Sequence, residues 1–314
     1  MRVVFMGTPQ FGVPSLQALH ENGYEIVGVF CQPDRPKGRG NKLMPCPVKE
    51  LALSLNLPVF QPNRMRLDGA EMLKSLLPDL CVTAAFGQIL SEENLATPTI
   101  GTVNVHSSLL PKYRGSAPIN WALICGETVT GVTTMMTDKG MDTGDILLQR
   151  EYAIPDGMAA GELTEELSKL GAELLIETIK KIEAGTCPRK PQEHDKASYY
   201  PMLKKEMGQL DFSKPAQEIV NLVRGVDPWP GAYTFAGEDM VKVLRAHAVS
   251  GGEGHAPYDI LTADVKNGLT VKAGNGIVEI DMLQMPGGKK MSARDYLRGH
   301  TIQQTRFERH EVQQ

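Results

Sequence analysis

Residues with complementary chemistry stand close together in the middle of the chain. Asn104 and His106 lie in the run TVNVH, and Asp142 and Asp145 lie in KGMDTGD. An amide can donate a hydrogen bond to an oxyanion, an imidazole is a base near neutrality, and a carboxylate can orient it. Together they suit acyl transfer. Valine and threonine favour a strand in TVNVH, and on a strand Asn104 and His106 share one face. Pro111 and Gly115 break the chain after it. A short helical run follows Pro118, and GVTTMMT reads as a second strand that empties into Asp138–Asp145. The expectation is two strand ends, one offering an amide and an imidazole, the other carboxylates. Competing chemistries fit less well. The D-T-G at 142–144 occurs once, where an aspartic protease needs a pair, and no G-x-S-x-G elbow exists for a serine hydrolase. A lone histidine is more often structural, and the bland reading of Asp142 and Asp145 is turn residues bonding their own backbone.

The elements that would position these groups read as an α/β domain. Arg2–Met6 and IVGVF (26–30) are apolar strands around a helix that starts near Pro14, a βαβ unit that implies a parallel sheet. The first turn lacks G-x-G-x-x-G, so a nicotinamide-dependent dehydrogenase is the weaker reading. LCVTAAF (80–86) reads as a buried central strand, and the backbone of Gly87, Gln88, Ile89 and Leu90 after it reads equally as the lining of a pocket or as a simple strand-to-helix turn. A leucine and isoleucine stripe spaces out a long helix over about 160–184. From Cys187 to Gly208 the chain turns polar and reads as a linker. The β runs beyond it include turns at Asn267-Gly268 and Asn275-Gly276, the texture of a small oligonucleotide/oligosaccharide-binding-like (OB-like) barrel. The expected division is 1–186 catalytic, 187–208 linker and 209–314 barrel.

Length and composition agree. The 314 residues suffice for two cores, and a net charge of −4 argues against a broadly basic nucleic-acid binder while leaving room for local patches. One such patch is the Pro/Gly-rich stretch 32–49, where Arg35, Lys37, Arg39 and Lys42 are placed to meet phosphates; a solvated surface loop is the alternative. Another surrounds Lys289, Lys290 and Arg294 near the C-terminus. No apolar run reaches the roughly 18–20 residues of a membrane span, and no signal peptide is expected at MRVVFMGTPQF. Cys31, Cys46, Cys81, Cys125 and Cys187 are scattered without a C-x-x-C, which suits reduced thiols in a cytoplasmic protein and gives no zinc site.

NVHSSLLPKYRGSAPINWAL together with GMDTGD closely resembles the folate-dependent formyltransferases. That family carries an Asn, a His two residues on, S-L-L-P, R-G-x-x-P and a later D-T-G-D. FMGTPQFGVPSL, QPDRPKGRGNKLMPCPVK and DPWPGAY extend the likeness along the chain, and the basic loop and extra β domain point to its tRNA-specific branch. The resemblance implies a doubly wound, mostly parallel Rossmann-like sheet followed by the barrel, with Asn104, His106 and Asp142 as catalytic trio. It implies 10-formyltetrahydrofolate as formyl donor, contacted by Ser108, Leu109, Leu110 and Pro111 and by Phe86, Gly87, Gln88, Ile89 and Leu90, with no metal. It further implies initiator methionyl-tRNA as acceptor, met by loop 32–49 with Arg39 as the key arginine. The C-terminal cations read either as a solvated helix face or as a second contact with a phosphate backbone. The alternative is a formyltransferase acting on a small amine such as glycinamide ribonucleotide or an amino sugar nucleotide. A monomer without membrane attachment is expected.

Overall fold

The computed structural model describes residues 1–37 and 42–310; Arg39 lies outside the described residues, as do the side chains of Lys37 and Lys42. In chain order the first elements are β1 (Arg2–Gly7), α1 (Val13–Glu21), β2 (Glu25–Phe30), β3 (Arg35–Lys37), β4 (Lys42–Met44) and α2 (Pro47–Ser54). Next come β5 (Val59–Phe60), α3 (Asp68–Ser75), β6 (Leu80–Ala84), α4 (Glu92–Ala96), β7 (Gly101–His106), β8 (Arg114–Gly115) and α5 (Pro118–Ile124). Then follow β9 (Val129–Met136), β10 (Ile146–Ala153), α6 (Ala160–Glu183) and β11 (Tyr199–Tyr200). The chain packs as two units. The first takes Met1–Pro118, Val129–Ala153 and Thr164–Tyr200; the second takes Ile119–Thr128, Ile154–Leu163 and the chain from Pro201 on.

A seven-stranded sheet in the order β10-β9-β7-β6-β1-β2-β5 forms the centre of the first unit. Strands β7, β6, β1, β2 and β5 run parallel, as the apolar runs require: Val3, Val4, Phe5 and Met6 of β1 and Leu80, Cys81 and Val82 of β6 are fully buried. Strand β9 is antiparallel to β7, with His106 opposite Thr133 and Asn104 opposite Met135. This changes the expected geometry. The end of β9 lies beside the start of β7, where Thr137 N–H donates to Thr102 O at 2.7 Å, not beside His106. The segment 137–145 must therefore climb back along β7, about 13 Å over the four residues from 102 to 106, to bring a carboxylate to the histidine.

The basic stretch is not wholly irregular. Its flanks pair as the hairpin β3–β4, with Arg35 opposite Met44 and Lys37 opposite Lys42. The base of the hairpin is pinned where Asp34 accepts from Lys49 Nζ at 2.6 Å and from Gln61 Nε2 at 2.8 Å. Those two hydrogen bonds hold the Asp34 carboxyl below the usual carboxylate range.

The second unit contains α7 (Ala216–Gly225), β12 (Ala232–Ala236), β13 (Asp239–Val249), β14 (Ile260–Asp264), β15 (Gly268–Lys272), β16 (Ile277–Gln284), β17 (Met291–Ser292) and α8 (Ala293–Gly299). Its antiparallel sheet runs β12-β13-β16-β15-β14, with β17 on β16. Both Asn-Gly pairs turn hairpins, at β14–β15 and β15–β16, with Gly268 and Gly276 at positive φ. Closure comes from the C-terminal segment. Phe307 N donates to Tyr258 O on the β14 side and Glu308 N donates to Phe235 O on the β12 side, so this segment bridges the two edges of the sheet. Phe212, Val241, Val271, Leu283 and Phe307 lie fully buried in its core.

Candidate active site

Two adjacent strands orient the amide. Asn104 on β7 stands in register with Thr83 on β6, and the buried Thr83 hydroxyl donates to Asn104 Oδ1 at 2.9 Å. The amide oxygen is thereby occupied, and the Nδ2 hydrogens are left to donate to a ligand. Thr83 carries no motif of its own, and only the pairing of β6 with β7 reveals its role.

His106 is 6% exposed at the end of β7. Its Nε2 lies 3.0 Å from Tyr113 O. A carbonyl only accepts, so the ring donates through Nε2–H, and in the neutral imidazole Nδ1 is the bare nitrogen. That nitrogen faces Asp142 Oδ1 at 3.7 Å, a charge-pairing distance rather than a hydrogen bond. The other oxygen, Asp142 Oδ2, accepts from Gly115 N at 2.9 Å. Asp142 itself sits at φ +54°, in the left-handed region, at the crest of the returning segment. The structure thus brings His106 and Asp142 together and places Asn104 on the same strand face as the histidine.

The D-T-G-D turn is built for its place. The Asp138 carboxylate accepts from Thr143 Oγ1 and from Gly140 N, closing the loop on itself. A methyl at Gly144 would run into the carbonyl oxygen of Met136. Gly144→Ala is accordingly expected to cost about 1–3 kcal/mol by forced overpacking and to lower activity as well as stability. Thermal unfolding measured beside single-turnover kinetics checks this, and a fully active Gly144→Ala protein would contradict it.

The S-L-L-P segment is mostly inward. Ser108 is fully buried, its hydroxyl donating to Lys112 O at 2.7 Å, and Leu110 is 3% exposed. Leu109 and Pro111 are half-buried. Thr133 Oγ1 donates to Ser108 O and accepts from Leu110 N, tying this turn to β9. On the other side of β7, Phe86 is buried, and Gln32 Nε2 holds the carbonyls of Phe86 and Gly87 at 3.4 and 3.0 Å. Leu90 is half-buried. Gly87, Gln88 and the exposed Ile89 line a cleft of about 580 Å³ together with Arg35, Arg64 and Arg66. Arg64 and Arg66 were not singled out in the sequence, because nothing in the run QPNRMRL tells that it borders a cleft.

The basic residues divide. Arg35 is exposed and donates to Gln32 Oε1 at 2.9 Å. Lys289 and Lys290 are exposed, whereas Arg294 is engaged by Glu279 Oε1 at 3.3 Å. Among the described residues, the group of three side chains with metal-ligating atoms within 4.8 Å of one another is His247, Glu279 and Asp281, in the second unit. His247 and Asp281 there are exposed and already pair with each other at 3.0 Å.

Residues 1–179 match the formyl transferase family, and residues 202–301 match the C-terminal domain of formyl transferases. The methionyl-tRNA formyltransferase of Acetivibrio thermocellus is 50% identical over 305 residues, covering 96% of this chain and 97% of its own. That of Ruminiclostridium cellulolyticum is 48% identical over 305 residues, with the same coverage. The chain belongs to the methionyl-tRNA formyltransferase family. A solved structure extends the likeness in three dimensions: the N-formyltransferase of Helicobacter canadensis superposes with a TM-score of 0.68 at 19% identity, over 92% of this chain and 99% of that one. At that identity the superposition speaks for the fold alone. The expected α/β sheet with a C-terminal β domain is the architecture found, and the chain is a formyltransferase. No helix among the described residues is long and apolar enough to cross a membrane.

Proposed function

We infer that this protein transfers the formyl group of 10-formyltetrahydrofolate to the α-amine of methionyl-tRNA, giving N-formylmethionyl-tRNA. The observation that carries this reading is full-length identity near one half to proteins of that name, combined with an amide, an imidazole and a carboxylate at one strand end. Initiator tRNA as the charged acceptor fits the role of that product in starting translation.

Each residue has a role that follows from its partners. The folate supplies a formyl group on N10. The methionine nitrogen bonds to the formyl carbon and the carbon–N10 bond breaks, so one proton leaves the amine and one reaches N10. Asn104, its oxygen held by Thr83, donates Nδ2–H to the formyl oxygen as negative charge gathers there. His106 accepts the amine proton at Nδ1, the ring nitrogen its Tyr113 contact leaves bare. Asp142 stands against that nitrogen and stabilises the imidazolium, and the protonated Nδ1–H then serves as donor and as proton source. The chain also fits the donor. Ile89 and Gln88 present apolar and amide surface beside three guanidinium groups, which suits an aromatic ring carrying a carboxylate tail. Leu109 and Pro111 border the formyl end, while Ser108 and Leu110 shape the turn from within. Arg35, Lys37, Arg39 and Lys42 of the stretch 32–49 take the tRNA phosphates, and Lys289, Lys290 and Arg294 offer a second contact. We assign 1–186 to catalysis, 187–208 to a connecting segment and 209–314 to tRNA binding.

The test is formyl transfer to methionyl-tRNA beside free methionine and glycinamide ribonucleotide. Transfer to the tRNA alone is expected, and transfer to a small amine would overturn the acceptor assignment. Arg39→Ala is expected to weaken tRNA use roughly tenfold, with a shallower salt dependence and folate affinity unchanged. Weakened folate binding as its main defect would move the loop to the other substrate.

A further inference from the structure

The two residues flanking Arg114 each hold one of the proposed catalytic side chains, His106 and Asp142, by a backbone group. Tyr113 accepts from the His106 ring through its carbonyl, and Gly115 donates its N–H to Asp142. Between them stands Arg114, 1% exposed, the largest fully buried side chain among the described residues. Burying a guanidinium is costly unless its hydrogens are satisfied, and among the described residues no carboxylate pairs with this one. Arg114 Nε and Nη2 instead donate to Gln192 Oε1 at 3.2 and 2.7 Å, Nη2 also reaches His194 Nδ1 at 3.2 Å, and Nη1 donates to Tyr199 Oη.

Gln192, itself 6% exposed, faces the opposite way with its nitrogen. Its Nε2 donates to Asp142 O at 2.9 Å and to Gly144 O at 2.7 Å. Both amide hydrogens and both oxygen lone pairs are thus used, leaving the side chain one orientation. The fork on Arg114 fixes the oxygen, and the nitrogen then clasps the D-T-G-D turn from both sides of Thr143. The sheet cannot do this, because antiparallel β9 delivers the turn to the wrong end of β7 and Asp142 must be held where it returns. The stretch 192–200 is tied down in turn: Arg114 N donates to Ser198 O at 2.9 Å, and Tyr199–Tyr200 pair in parallel with Arg114–Gly115.

We propose that Arg114 and Gln192 are positioning residues of the transfer reaction, a buried latch that sets the Asp142 carboxylate against His106. The proposal rests on the reaction proposed above. It assigns catalytic consequence to a polar segment that touches no reacting atom.

Gln192→Glu separates the latch from the fold. A glutamate keeps an acceptor for the Arg114 fork but has no hydrogens for the carbonyls of Asp142 and Gly144. The expected result is a kcat about a hundredfold lower, with KM for folate and tRNA within about threefold, because misplacement by about 1 Å costs that much. The ¹⁵N resonances of the His106 ring, assigned by their loss in His106→Ala, are expected to move while those of the other histidines hold. Tyr199→Phe is the second variant. It strips one guanidinium partner from a side chain that is 57% exposed, so it folds, and it is expected to lower kcat about threefold to tenfold with the same change at His106. Wild-type kcat and His106 resonances in either folded variant would overturn the latch, as would a kcat loss matching the fraction unfolded. Failure of the wild type to formylate methionyl-tRNA would instead sink the reaction, and the His106 resonances would still report on the latch.

Discussion

Replacing His106 by alanine is expected to lower formyl transfer to methionyl-tRNA by about 10²–10⁴-fold, with both substrates bound nearly as before. On the proposed mechanism the ring, at the end of β7, takes a proton from the attacking amine and returns one. Tyr113 O holds Nε2–H, so in the proposed mechanism a single nitrogen, Nδ1, is left for this work, and it faces Asp142 at 3.7 Å. A substitution that keeps bulk and polarity, such as His106→Gln, supplies a donor but no base. It is expected to recover stability without recovering more than a small part of the rate. Single-turnover measurements at saturating folate read the chemical step directly, and circular dichroism shows whether loss of a buried ring has loosened β7. An alanine protein retaining more than about a tenth of wild-type rate would remove His106 from the proton path.

Asn104→Ala is the second large effect, about 10²–10³-fold in kcat, the usual size for loss of one oxyanion donor. Asn104→Asp should be worse despite its similar shape. One carboxylate oxygen can still accept from Thr83, but the other replaces the donor with a negative charge where the proposed reaction develops negative charge. Thr83→Val tests the orientation separately. It keeps the volume, removes the 2.9 Å hydrogen bond, and frees the amide to turn its oxygen toward the ligand. A loss of roughly tenfold is expected, recovered in no part by raising substrate. Folate affinity falling in step with kcat would make Asn104 a binding residue rather than a donor to the transition state.

Much of this was legible in the order of residues. TVNVH carries the alternation that puts an amide and an imidazole on one face, and β1 and β6 announce a buried parallel sheet by unbroken apolar runs. The two Asn-Gly pairs specify tight reversals wherever they sit, because glycine accepts the positive φ that those turns need. These are local matters of side-chain period and backbone sterics, so they survive without knowledge of the fold. The motif also carries the family, since so many chemically restricted residues in one spacing leave few alternatives.

Other features depend on contacts that no local pattern encodes. The direction of β9 was invisible, because an apolar strand reads the same paired parallel or antiparallel. Its reversal turned a meeting of two strand ends into a segment that must climb back to His106. Thr83, Tyr113 and Gly115 gained their contacts with the site from register and from a carbonyl or an N–H, groups that nearly every residue possesses. Gln192 stands in a run so polar that composition reads it as linker, yet its amide grips the D-T-G-D turn. Which residues could perform formyl transfer was therefore set by the chain's own chemistry. Which atoms face one another, and what holds them there, was decided only when segments far apart in the chain were brought to hydrogen-bonding distance in a buried place.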